Sequence, residues 1–175
     1  MDYLIRNLKS SDIYQQISKN KKGSIKISGL VCVAKSILAS TLNMDEKKNI
    51  LLITYNELQA KKIYNDLKYF TDDVSLFNKR EISLYDIDAE SNEIEKERIK
   101  VLNKIQSGDS HIIVTTIEAV MQKMIAREEL YENVIEIKNN STISLDEIKE
   151  KLLMLGYERK ELVEKVGKEF KIVYT

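Results

Sequence analysis

Ser24-Ile25-Lys26-Ile27-Ser28-Gly29-Leu30-Val31-Cys32-Val33-Ala34-Lys35-Ser36, continuing as Ile37-Leu38-Ala39-Ser40-Thr41-Leu42, is the stretch on which the fold turns. Ile25 and Ile27 alternate with polar residues, a turn follows, and a helical pattern begins, which is the order strand, loop, helix of phosphate-binding folds. Gly29 to Ser36 match G-x-x-x-x-G-K-[ST] at every fixed position but one, with Ala34 where the second glycine belongs. In an intact loop, glycines let successive backbone N–H groups turn toward phosphate oxygens while Lys and Ser reach phosphate and Mg²⁺. Here the interior is Val31, Cys32, Val33 and Ala34. β-Branched side chains resist the conformations that glycine permits, at roughly 1–3 kcal/mol for each strained position. Gly29, Ala34, Lys35 and Ser36 are therefore expected to be a degenerate phosphate loop, closed by Val31, Val33 and Ala34, with Lys35 solvated. Retention of nucleotide by Lys35 and Ser36 is the alternative.

Working outward, strands and helices alternate. Asn49 to Thr54 contains the unbroken run Ile50-Leu51-Leu52-Ile53, which predicts a strand buried on both faces. Thr54-Tyr55-Asn56-Glu57 reads as a capping box for a helix with the stripe Leu58, Ala60, Ile63, Tyr64, Leu67 and Phe70. Val74 to Phe77 predicts a third strand, residues 78–92 an irregular polar link, and Ile94, Ile99, Val101, Leu102 and Ile105 a helix stopped by Gly108. His111 to Thr115 is the fourth strand. Thr115-Thr116-Ile117-Glu118 repeats the capping box, with Val120, Met121 and Met124 facing inward. On the N-terminal side, Leu4, Leu8, Ile13, Tyr14 and Ile17 make a helical pattern around Ser10-Ser11-Asp12, ending in Lys19-Asn20-Lys21-Lys22. These elements predict one α/β domain, residues 1–125, with a parallel sheet flanked by helices.

Residues 126–175 differ in texture and predict a small α+β domain. Val134 to Lys138 alternates as a half-exposed strand does, Ser144-Leu145-Asp146-Glu147 caps a helix with Leu145, Ile148, Leu152 and Leu155 on one face, and Gly156 closes it. Phe170 to Tyr174 predicts a further strand, inside which the sequence stops.

Composition narrows the function. Lys plus Arg and Asp plus Glu are both 28, so no net field draws the chain to DNA or to an anionic membrane, and nucleic-acid contact requires a local patch such as Lys19 to Lys26. Apolar runs are too short to span a bilayer and the N-terminus lacks a signal-peptide core, so a cytoplasmic location is expected. One cysteine and one histidine form no zinc cluster. Cys32 is a small buried hydrophobe or a thiol activated at a helix N-terminus; His111 is a strand-edge residue. Hydrolysis of a phosphate anhydride needs a carboxylate at the end of a buried strand, and the strands end in Thr54-Tyr55 and Thr115-Thr116. Tyr55, Tyr64, Tyr69 and Tyr85 offer a base-stacking surface or, on the core side of a helix stripe, packing.

The decayed loop at Gly29-Leu30, Leu51-Leu52-Ile53-Thr54, Gln59-Ala60, Asp66-Leu67-Lys68-Tyr69-Phe70, Ser83-Leu84-Tyr85-Asp86, Arg98-Ile99-Lys100-Val101-Leu102 and Ile113-Val114-Thr115-Thr116 together resemble the N-terminal region of the bacterial transcription-repair coupling factors (Mfd). Leu155-Gly156-Tyr157-Glu158-Arg159 and Gly167-Lys168-Glu169-Phe170 also look like that family, whereas Lys171 to Thr175 lack the Arg-Gly-Gly that usually follows. The region is similar to UvrB of nucleotide excision repair, but Asn78 to Asn92 is too short for UvrB's tyrosine-rich DNA-verifying hairpin.

The resemblance implies a degenerate helicase-like domain of RecA/P-loop ancestry without working ATPase chemistry, followed by a small domain that docks UvrA. Arg159 is the basic residue it nominates for that contact; a solvated arginine after a helix end is the alternative. It further implies that ATP and Mg²⁺ act in the motor of the parent protein, and that RNA polymerase and DNA are met by parent domains outside this chain. A non-catalytic UvrA-recruiting scaffold is the expectation, with a nucleotide-binding half of an ATPase and a sequence-tolerant DNA binder as alternatives.

Overall fold

Ser11 divides the N-terminal apolar pattern into two helices, α1 (Asp2–Lys9) and α2 (Asp12–Lys19), because its hydroxyl accepts from Tyr14 N (3.2 Å) and starts a second helix. This computed structural model describes residues 2–20, 23–31, 33–80, 88–135, 144–159 and 169–170. Cys32, Lys21, Lys22, Tyr85 and the expected strand residues 136–138 and 171–174 lie outside them. The chain divides into two compact units, Met1–Gln122 and Lys123–Thr175.

The strand expected at Ile25 and Ile27 is not formed. Residues 24–31 are irregular, and both isoleucines are exposed. Alternation gives a segment one apolar face, but a strand also needs a ladder partner, and residues 24–31 belong to neither sheet. The helix expected after the loop is present as α3 (Ala34–Glu46), which leads into β1 (Ile50–Thr54), α4 (Glu57–Lys68), β2 (Val74–Phe77), α5 (Asp88–Gln106), β3 (Ile112–Thr116) and α6 (Ile117–Met121).

The sheet is parallel in the order β1-β3-β2. Ile50 to Thr54 pair in register with Ile112 to Thr116, and Val74 to Phe77 with Ile112 to Thr115. The chain passes over β3 on the way out through α4 and returns to it through α5. Crossovers of one hand then put those helices on opposite faces. One face carries Ile112, Val114 and Val74 against Ala39, Ala60 and Leu67, with Ile50, Leu52 and Leu76 packed beside them. The other carries Ile113 and Phe77 against Val101 and Ala119. β3 is buried at every position, as its apolar run predicts. β1 is not: Leu51 and Ile53 are half exposed, so the strand expected to be buried on both faces is covered on one.

Several helix details differ from expectation. Asn56, not Thr54, caps α4, its side-chain oxygen accepting from Gln59 N (2.8 Å). Thr54 instead donates toward the carbonyls of Asn56 (2.9 Å) and Thr115 (3.1 Å), welding the end of β1 to β3. Leu58 is exposed, because it precedes the face of α4 that reaches the sheet. Likewise Thr116, not Thr115, caps α6, accepting from Ala119 N (3.2 Å), while Thr115 donates to the carbonyl of Phe77 (2.9 Å). Met121 and Met124, expected to face inward, are exposed; α6 is only five residues long and ends at Met121.

In the second unit, α7 (Arg127–Glu132) and α8 (Leu145–Met154) precede β4 (Glu158–Arg159) and β5 (Glu169–Phe170), which pair in parallel. Ser144 caps α8 as expected, accepting from Asp146 N (3.3 Å). Gly156, at φ +80°, ends it: Gly156 N donates to the carbonyl of Leu153 and Tyr157 N to that of Leu152, both at 3.0 Å. Val134 and Ile135, expected to open a strand, have no regular structure. Val134 O accepts from the Lys151 ammonium (3.3 Å).

Candidate functional site

The degenerate loop ends in a helix that no side chain caps. Val33 occupies the N-cap position of α3 in helical geometry, and the first backbone bonds run from Ala34 N to Val31 O (3.1 Å) and from Ile37 N to Val33 O (2.9 Å). Gly29 takes φ +83°, a conformation glycine adopts without strain. Lys35 is exposed on the first turn. Ser36 is 0% exposed, and its hydroxyl has no hydrogen-bond partner. The expected closure by valines does not occur: Val31 is 71% exposed and Val33 projects beside it. Gly29 and Lys35 thus lie on the surface while Ser36 turns into the protein, because the small residues Ser36, Ala39 and Ser40 let α3 pack closely in the interior.

α3 is anchored from its other end. Tyr14 OH donates to Asp45 Oδ2 (2.5 Å), and the Lys9 ammonium pairs with the same carboxylate. Burial alone would raise the Asp45 pKa, but hydrogen bonds from Lys9 and Tyr14 outweigh it and hold the carboxyl below its ordinary value. The Tyr14 phenol is pushed up, first by burial and then by Asp45.

Ligands of open α/β sheets bind outside the carboxyl ends of the strands. At that end of this sheet the polar groups are turned on one another. Lys79 reaches Glu118 of α6 (2.8 Å) and Glu57 of α4 (3.5 Å), and these glutamates hold its pKa up. Gln122 closes a two-bond ring with the backbone of Arg80, Arg80 N donating to Oε1 (2.7 Å) and Nε2 donating to Arg80 O (3.0 Å). Glu57 and Glu118, expected as cap partners, act as the acidic arms of this cluster.

Arg98 lies beneath it, 3% exposed. Its Nη1 donates to Asn78 O (2.5 Å), and its guanidinium sits 4.0 Å from the centre of the Phe77 ring. Burial, then Arg80, lowers its pKa, with Glu95 opposing. No role was expected of Arg98 from the sequence. The available signal was its position four residues after Ile94 and three before Val101, which puts a cation on the apolar stripe of α5.

His111 directly precedes β3, at the strand's edge as expected, and is buried. Nε2 lies 2.8 Å from Ser75 Oγ, and its backbone N–H donates to Asn49 Oδ1 (2.9 Å). Burial, then Lys104, lowers its pKa, with Asp73 opposing. It stands at the amino end of β3, opposite the Lys79 cluster. Of the tyrosines considered for stacking, Tyr55 and Tyr69 are exposed and Tyr64 is half-buried with the Lys68 ammonium 4.9 Å from its ring centre. Among the described residues there is no group of His, Cys, Asp and Glu able to hold a metal ion.

Arg159 belongs to the second unit. It is exposed on β4, pairing in register with Phe170, and the Schellman turn at Gly156 sets the direction in which the strand leaves α8. α8 carries the exposed apolar side chains Leu145, Leu153 and Met154. No described helix is long and apolar enough to cross a membrane.

No family model matches the chain. Individual relatives do. A transcription-repair-coupling factor of Bacillus subtilis (strain 168) is 29% identical over 177 residues, covering 98% of this chain. Proteins of the same name from Staphylococcus aureus (strain USA300) and Staphylococcus epidermidis (strain RP62A) are 25% and 23% identical, covering 81% and 82% of the chain. The chain spans only 15% of the Bacillus subtilis relative's length and 12% of the other two. It is, over nearly all of its residues, similar to one limited region of bacterial transcription-repair-coupling factors.

Proposed function

We propose that this chain is a non-catalytic, UvrB-like scaffold belonging to a transcription-repair coupling factor, and that it recruits UvrA in transcription-coupled nucleotide excision repair. Similarity to the coupling factors over 98% of the chain supports a role in repair. The observation that carries the non-catalytic part is Ser36. Its hydroxyl, which would ligate Mg²⁺ in an intact phosphate loop, is sealed in the interior on the first turn of α3, next to the exposed Lys35. These residues do not fit a Mg²⁺-nucleotide: the metal-binding oxygen and the lysine face different environments, and Ala34 adds a Cβ where glycine would admit phosphate. No acid directly follows Thr54 or Thr116, and the nearest, Glu57 and Glu118, are engaged with Lys79.

Recruitment falls to the second unit, where an exposed arginine on a short strand and exposed apolar residues of α8 offer the charged anchor and apolar surround of a protein interface. ATP turnover, RNA polymerase binding and DNA contact belong, in this reading, to parts of a coupling factor outside these residues. Purified UvrA should be retained by the immobilised chain and weakened at least about tenfold by Arg159→Glu, as for a charged interface anchor. Titration calorimetry with ATP and Mg²⁺ should give no heat. Micromolar binding abolished by Lys35→Ala would replace the scaffold with a nucleotide-binding protein, and failure to retain UvrA would remove the recruiting role.

A further inference from the structure

We propose that the outer face of α4 is a contact for the phosphate backbone of duplex DNA, made without regard to base sequence by Lys61, Lys62 and Lys68. α4 packs inward through Ala60, Ile63, Tyr64 and Leu67. At about 100° per residue, Leu58, Lys61, Lys62, Asn65 and Lys68 fall within roughly 120° of one another on the opposite side, and all are exposed. Tyr55 and Tyr69, 73% and 71% exposed, stand at the two ends of that strip.

The charge of the strip is uncompensated. Among the described residues, Lys61, Lys62 and Lys68 have no carboxylate within ion-pair distance. On α5, by contrast, Lys96 pairs with Glu93 (3.6 Å) and Lys100 with Glu97 (2.7 Å). Of the acids on α4 itself, Glu57 is turned to Lys79 (3.5 Å), and Asp66 is half-buried and pairs with none of these lysines. Asp72 and Asp73 follow beyond the helix end and bound the footprint. The chain has no net charge, so a polyanion is drawn only by a local patch, and this is one.

The shape of the strip selects among polyanions. An acidic protein face would need an apolar centre to bury, and the strip offers Leu58 alone. A single strand binds by stacking successive bases on aromatic rings, but Tyr55 and Tyr69 are about 20 Å apart along the helix, with no exposed aromatic residue between them. A duplex needs neither. Over the roughly 10 Å of helix from Lys61 to Lys68 it presents about six phosphate charges. A convex helix face also fits the major groove of B-DNA, about 12 Å wide, and not the narrow one of duplex RNA. The inference goes beyond the proposed function, which leaves DNA contact to other parts of a coupling factor, and does not rest on it. Its test uses no UvrA, so either can fail without the other.

The test is the fluorescence anisotropy of a labelled DNA duplex of about 20 base pairs, titrated with this chain at salt concentrations from about 25 to 200 mM. Binding should appear at low salt, be equal for two unrelated sequences, and weaken with a slope of log affinity on log salt near −3, about 0.9 for each phosphate contact. Replacing all three lysines, Lys61→Gln, Lys62→Gln and Lys68→Gln, should weaken binding at least about tenfold and bring the slope toward zero. Lys96→Gln with Lys100→Gln should leave both as they are. Absence of binding at the lowest salt would overturn the proposal, as would an unchanged slope in the triple variant. Loss of binding on Lys19→Gln with Lys26→Gln instead would move the contact to the N-terminal segment and overturn it equally. Tighter binding of a single strand than of the duplex would refute the choice of partner, and so would displacement by polyglutamate as readily as by unlabelled duplex.

Discussion

Replacing Ser36 by alanine should stabilise the protein, an outcome opposite to that expected at a working phosphate loop serine. The side chain is 0% exposed and its hydroxyl is unpartnered. An unpaired hydroxyl moved from water to the interior costs roughly 1–3 kcal/mol. Alanine removes that cost and gains up to about 0.5 kcal/mol of helix propensity. Against this stand the few dispersion contacts of one oxygen atom, roughly 0.1–0.2 kcal/mol each. The balance is a stabilisation of about 0.5–3 kcal/mol, and for a domain of this size each kcal/mol moves the melting midpoint by roughly 3–6 °C. Urea unfolding followed by circular dichroism reads the change as a higher midpoint with unchanged slope. Thr41→Val on the same helix is the control: Thr41 Oγ1 donates to Ile37 O (2.7 Å), so its removal should not stabilise. Mg²⁺-ATP should move neither midpoint, whereas a bound ligand at a hundred times its Kd would add about 2.7 kcal/mol. Destabilisation of Ser36→Ala by more than about 1 kcal/mol would refute the reasoning, because it would mean that the hydroxyl has a partner worth that much.

Three further expectations concern other parts of the first unit. Because burial lowers the folded-state pKa of His111, the unfolded chain binds a proton that the folded chain refuses between the two values; stability should be full above about pH 6.5 and fall below it. His111→Gln should flatten that slope in urea midpoints taken from about pH 8 to about pH 5. Asp45 has a depressed folded pKa, so its contribution is present above the unfolded value near 3.9 and is lost as pH falls through the folded value. Asp45→Asn should shallow the acid limb of the stability profile, and Tyr14→Phe should cost about 1 kcal/mol at neutral pH through the lost hydrogen bond. Asn56→Ala should cost about 1 kcal/mol and Asn56→Gly a few tenths, measured by thermal unfolding.

What was legible in the sequence were features set within a few residues or by long apolar runs. β3 is buried because Ile112, Ile113 and Val114 leave no polar face, and that run needed no partner to be recognised. The stop of α8 at Gly156 is equally local, since one positive-φ residue fixes two backbone bonds. The caps of α4 and α6 were placed in the right turn but on the wrong residue. In both cases the threonine at the end of the strand, Thr54 or Thr115, is taken by a carbonyl that the strand pairing or the following turn brings near, a tertiary claim that spacing does not display. Ile25 and Ile27 misled for a related reason. Alternation describes a side-chain pattern, whereas a strand is made by a neighbour's backbone, and the neighbour is not encoded in those five residues.

The same distinction governs the candidate sites. The G-x-x-x-x-G-K-[ST] pattern is nearly complete at Gly29 to Ser36, yet a phosphate cradle depends on Lys35 and Ser36 addressing one point in space. A helix places adjacent residues about 100° apart, so both can face a phosphate only if the helix start itself faces the ligand. Here α3 buries Ser36, Leu38, Ala39, Ser40, Thr41 and Asn43, most of its circumference, while Lys35 on the first turn stays exposed. Glycine at position 34 alone is therefore not expected to confer Mg²⁺-nucleotide binding. The backbone would regain its freedom, but the hydroxyl would still be committed to the interior by the packing of the whole helix. A Val31→Gly, Val33→Gly, Ala34→Gly triple variant that bound Mg²⁺-ATP in calorimetry would show that loop bulk, and not the face on which Ser36 lies, was what closed the site.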